Sequence, residues 1–68
     1  MDSKDREYLK RALKNYHHSM EESLSKAISE EEDGAEGFKR YMFLINEIRT
    51  YARSKGISEK KAAKELVG

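Results

Sequence analysis

Apolar residues recur at steps of three and four along most of the chain. Leu9, Leu13, Tyr16, Met20, Leu24 and Ala27 form one stripe, with Ala12 and Ile28 beside it. That spacing predicts a strongly amphipathic helix of about seven turns. Asp2 or Ser3 can cap its start, and Asp5 and Glu7 fall in its first turn, where the helix dipole favours acids. Tyr8 falls off the stripe.

The pattern stops after Ile28. Residues 29–37, SEEEDGAEG, carry five acids and two glycines. Acids at a helix C-terminus oppose the dipole, so the first helix is expected to end here. Asp33 with Glu36, and Ser29 with Glu32, both have the spacing of a capping box. They place the turn at about residues 30–36 and the next helix at about Gly37 to Lys55.

The stretch Phe38 to Ala52, FKRYMFLINEIRTYA, is apolar on more than one side. Phe38, Tyr41, Met42, Ile45, Ile48 and Ala52 make one core-facing band. Leu44 and Tyr51 widen it on one flank, and Phe43 falls on the far side. A helix of this kind needs more than one neighbour. Gly56 is placed to close it as a left-handed C-cap, with Ile57 as the apolar residue after the cap. Ser58 then caps a short helix, Glu59 to Val67. Ile57 is placed to pack on Ala62, with Ala62, Ala63, Leu66 and Val67 on one face and Lys60, Lys61 and Lys64 on the other.

The predicted fold is all-α and a single domain, residues 1–68. It is an antiparallel hairpin of two long helices with a short third helix at the C-terminus. A chain of this length buries only about 60% of its unfolded surface, and small domains make good the deficit with disulfides, metals or oligomerisation. There is no cysteine, so disulfides and thiolate metal sites are excluded. The hairpin is therefore expected to pair with a second copy as a four-helix arrangement, through Tyr41, Phe43, Leu44, Ile48 and Tyr51.

Net charge is +1, but its distribution is uneven. Residues 1–18 hold five basic and three acidic side chains, residues 19–38 one and seven, and residues 39–68 eight and three. A hairpin would gather the first and last groups at one end. Lys10, Lys14, Arg49, Arg53, Lys60, Lys61 and Lys64 are then the candidate contacts for nucleic acid or another anion. Ile48 to Gly68 resembles in part the helix-turn-helix of DNA-binding proteins: Ala52 and Gly56 stand four apart, Ile57 follows, and a Ser-capped, Lys-rich helix comes next. Lys55 and Glu65 depart from that motif, which has apolar residues there. The resemblance implies a small nucleic-acid-binding regulator as the alternative function.

Catalytic and metal signatures are not found. On a continuous helix the adjacent His17 and His18 diverge by about 100° and cannot share an ion. The pairs His17 with Glu21 and His18 with Glu22 lack a convincing third ligand. The acidic run lacks the ligand spacing of an EF-hand, and no phosphate-binding glycine loop or nucleophile elbow is present. The expectation is a non-enzymatic protein with no cofactor and no metal. No membrane-spanning run or signal peptide is evident, and a reducing, cytoplasmic setting fits the lack of cysteine. The first-choice function is a small interaction or regulatory module, acting as a homo-oligomer or helical adaptor that binds and modulates another macromolecule.

Overall fold

The computed structural model describes residues 1–68 and is all-helical, with four helices and no strand. They are α1 (Ser3–Lys14), α2 (Met20–Ser29), α3 (Gly34–Lys55) and α4 (Glu59–Val67). At about 1.5 Å per residue, the 22 residues of α3 match the molecule's long axis of 32 Å. The other helices pack along α3 or against one another: α2 and α4 lie on α3, and α1 lies on α2 and α4.

The expected long first helix is two helices, which corrects the three-helix architecture. The break falls at residues 15–19, where the apolar spacing from Tyr16 to Met20 gives no warning. Asn15 ends α1, and its N–H still reaches the Arg11 carbonyl at 3.0 Å. His18 takes a left-handed φ of 65°. Around it the Ser19 N–H donates to the His17 carbonyl at 2.7 Å, closing a three-residue turn of the rarer hand. Ser19 then caps α2, its Oγ accepting the Glu22 N–H at 3.1 Å. Ser23 pins the corner. Its buried Oγ accepts the His17 N–H at 2.8 Å and lies 2.7 Å from the Ser19 carbonyl. The chain folds back here, so α1 and α2 are the hairpin.

A left-handed, non-glycine residue costs roughly 1–2 kcal/mol. Part of the gain from replacing it is lost again because glycine loses more freedom on folding. His18→Gly is therefore expected to raise stability by roughly 0.5–1 kcal/mol, read from the urea midpoint. A lower midpoint would show that the imidazole itself holds the corner.

The second turn is short. α2 ends at Ser29, as the acids require, and α3 begins at Gly34, three residues earlier than its apolar pattern predicts. Asp33 occupies the N-cap position but its side chain makes no capping bond, so the anticipated Asp33–Glu36 box does not form. The third turn follows the sequence closely. Gly56 has φ 67°, and the Ile57 N–H returns to the Ala52 carbonyl at 3.0 Å in a Schellman closure. Ser58 Oγ accepts the Lys61 N–H at 3.1 Å and starts α4.

The core is continuous through all four helices. Tyr8, Leu9 and Ala12 come from α1, and Met20, Leu24, Ala27 and Ile28 from α2. Leu44, Ile45, Ile48 and Ala52 come from α3, and Ala62 and Ala63 from α4. The two alanines are completely buried, and their small side chains let α4 approach closely. No helix is long and apolar enough to cross a membrane.

Candidate interaction surface

The structure rotates α3 relative to its predicted phase. Leu44 and Ile48, expected in the contact with a second chain, are both 0% exposed and lie inside the chain's own core. Tyr51 is half-buried, and its hydroxyl donates to Glu65 at 2.8 Å, tying α3 to α4. Of the five residues expected at a partner interface, Phe43 alone is exposed, and Tyr41 is half-buried like Tyr51. Conversely, Phe38 and Met42, expected in the core, are exposed, Phe38 by 65%. The cause is the position of the covering helices. With α2 and α4 set over the Leu44–Ile48 side, the band's other margin has nothing above it.

Phe38 and Met42 are neighbours one turn apart on α3. Phe38 borders an open hollow of about 440 Å³ between the end of α2 and the start of α3. Ile28, Gly37 and Tyr41 give the hollow its apolar lining, and Ser29, Glu32 and Asp33 give it a polar rim. At Gly37 a Cβ would stand 3.1 Å from the Glu32 carbonyl oxygen, so the missing side chain lets the turn pass close over α3. The exposed Phe43 lies on another side of α3, beside Lys39 and Arg40.

Behind this surface a charged cluster binds α1, the turn and α3. Arg40 reaches Asp5, and its Nε lies 3.0 Å from Glu32. The buried Tyr8 hydroxyl donates to Glu32 at 2.7 Å, and the Arg40 guanidinium also stands over the Tyr8 ring. Burial, then the bond to Glu32, pushes the Tyr8 hydroxyl up to about 12. The Tyr8 hydrogen bond, then Arg40 and Lys4, hold the Glu32 carboxyl below its usual range. Every buried polar side-chain atom in the molecule has a partner. The sequence pattern left Tyr8 unassigned because its second covering comes from residues 24 and 32 positions away.

The same cluster corrects the predicted separation of charge. A straight first helix would set its basic residues beside the end of α3. The corner at residues 15–19 instead turns α1 back toward the acidic turn. Lys4 lies 3.6 Å from Glu32, and Arg11 pairs with Glu30 and Glu31. Of the seven candidate anion contacts, Arg49 is bonded to Glu21 at 2.8 Å and lies 3.5 Å from Glu59. Lys10 is 3.9 Å from Glu7, and the Lys60 ammonium stands 4.4 Å from the centre of the Tyr16 ring. Lys14, Arg53, Lys61 and Lys64 are exposed and make no ion pair.

The two histidines are also placed differently from expectation. Off the helix, their rings meet edge to face with centroids 4.2 Å apart. Glu22 joins them, with one ligand atom from each of the three residues within 4.8 Å of the others. The signal available in the sequence was Ser19 with Glu22 three later, a capping-box pair that marks a helix start. Comparison of the chain with protein-family models, curated proteins and solved structures finds no match.

Proposed function

We propose that the protein is a small non-enzymatic interaction module that associates with a second copy of itself through the Phe38 face of α3. The observation that carries this reading is the exposure of Phe38 and Met42, by 65% and 40%, beside an apolar hollow. Large apolar side chains grouped on one face are characteristic of contact surfaces, whereas scattered ones are not. A two-fold interface uses the same patch on both partners, so the patch must complement itself. This one holds both a projecting ring, Phe38, and a hollow next to it. The rim of the hollow carries Ser29 and Asp33, polar groups able to hydrogen-bond across a two-fold axis. Such a module would act on another macromolecule through the surfaces that the dimer leaves free.

Sedimentation is expected to show a dimer whose melting temperature rises with protein concentration. Phe38→Glu should make it monomeric while changing monomer stability by no more than about 0.5 kcal/mol, because the ring is at the surface. A monomeric wild type with a concentration-independent melt would overturn the reading.

The alternative, a nucleic-acid-binding regulator, draws support from Lys61 and Lys64, unpaired cations on the outer face of α4, and from Arg53 near the Gly56 corner. It requires duplex binding that weakens steeply with salt, with a slope of about −0.9 per phosphate contacted. Lys61→Glu with Lys64→Glu should abolish such binding without altering the melt. The four pairings of Lys4, Arg11, Arg40 and Arg49 with acids of the same chain favour the first reading.

A further inference from the structure

We propose that His17, His18 and Glu22 form a binding site for a divalent transition-metal ion of the zinc type. The site lies at the α1–α2 corner, on different residues from the Phe38 face. Its ligand set is the first argument. Two imidazoles and one carboxylate suit zinc and its neighbours in the transition series, while magnesium and calcium prefer sites made of oxygen alone. Two histidines and a glutamate also make up one of the three-ligand zinc sets that leave the fourth position open to water.

Geometry is the second argument. Adjacent histidines on a helix point about 100° apart. Here the left-handed φ of His18 turns the chain so that the two rings come into contact. The ligand atoms lie within 4.8 Å of one another. Ligands at about 2.0–2.2 Å from a tetrahedral ion lie roughly 3.3–3.5 Å apart. All three side chains are exposed, so rotation about their own bonds is available to bring the ligand atoms closer.

The backbone beneath the ligands is already fixed. Ser23 Oγ holds the His17 N–H at 2.8 Å, the Ser19 N–H holds the His17 carbonyl, and Ser19 Oγ holds the Glu22 N–H. His17 and Glu22 are thus each anchored by hydrogen bonds from the same corner, and His18 stands in the chain between two residues so held, which lowers the ordering cost of binding. The ligand atoms are also free. Neither imidazole nor the Glu22 carboxylate takes part in any of the molecule's side-chain hydrogen bonds or ion pairs. The hollow over them, about 400 Å³, gives an ion and its water room to enter. Lys26 is the one cation lining it, and its long flexible stem lets the ammonium swing away.

The test is calorimetric titration of the full, untagged chain with zinc chloride, with magnesium chloride as the control. One zinc ion per chain is expected, with no magnesium binding. His18→Gly and Glu22→Gln should each weaken zinc binding by roughly 10–100-fold or more, the range already seen when a metal ligand loses only its supporting partner. His18→Gly suits the left-handed backbone, so loss of binding in that variant cannot be ascribed to unfolding. Circular dichroism should show both variants fully helical. Zinc should also raise the melting temperature of the wild type and leave that of His18→Gly unchanged. Wild type that takes up no zinc, or variants that bind it as tightly as wild type, would overturn the proposal.

Discussion

Replacing Leu44 with alanine is expected to destabilise the protein by about 2–5 kcal/mol, through lost burial and the cavity left behind. Leu44 has no exposed surface, and the core around it draws on all four helices, so the gap cannot close by the shift of one neighbour. A chain of this length has a total stability on the order of 3–10 kcal/mol, at 0.05–0.15 per residue. The substitution therefore removes a large fraction of it. Phe43→Ala, one residue earlier, removes a larger ring that is 49% exposed and should cost only about 0.5 kcal/mol. Urea unfolding of the two variants side by side measures the rotational phase of α3. Equal losses would show that the phase is wrong.

Between about pH 10 and 12, stability is expected to fall, and Tyr8→Phe should make that fall smaller. The sign follows from the direction of the shift. Tyr8 in the fold is pushed up to about 12 from an ordinary value of 10.0, first by burial and then by its bond to Glu32. The unfolded chain loses this proton first. The contribution of Tyr8 is thus complete below pH 10 and is lost as pH rises through the folded value. Tyr41 and Tyr51 are also shifted upward, by burial and by the Glu65 bond respectively, so part of the alkaline loss remains in the variant. Acid acts on the other partner. The Glu32 carboxyl is held low, so its contribution is complete above an ordinary value of 4.5 and is lost as pH falls. Tyr8→Phe removes the leading cause of that shift as well. The check is the urea midpoint against pH for both proteins. Identical curves would dissociate Tyr8 from the cluster.

What the sequence made legible was local. The Gly56 closure and the Ser58 cap depend on residues within six positions of one another, and both formed as read. The acidic stretch stopped α2 for an equally local reason. The corner at residues 15–19 was hidden because it contains neither glycine nor proline, and because Tyr16 and Met20 keep the helical spacing across it. Only the Asn15 and Ser19–Glu22 pattern marked it. The phase of α3 was not readable from α3 itself. A stretch that is apolar over most of its circumference fits several faces, and the choice between Phe38–Met42 and Leu44–Ile48 was made by where α2 and α4 settle. Ile45 and Ala52 were assigned to the core because they lie where the alternatives overlap. Lys4 and Arg11 were set at the wrong end for a single reason: that placement required a straight first helix.

The two ends of α3 are not equally secured. Asp2, Ser19 and Ser58 each cap their helix with a side chain, whereas Asp33 does not, and the first bond of α3, from the Gly37 N–H to the Asp33 carbonyl, is stretched to 3.4 Å. Two of the first four residues are glycines. Helix propensity, capping and hydrogen-bond strength are therefore all weak in the same turn, while the far end is sealed at Gly56 and backed by Ala62 and Ala63. The protein has a loose end and a locked end. Amide protons of residues 34–37 can exchange with solvent through brief local fraying, whereas those near Leu44 and Ile48 must wait for the whole chain to open. Phe38 stands at the boundary between the two regimes, on the first turn that holds and beside the last that gives way, so the hollow it borders has one rigid wall and one that can reshape around whatever enters it.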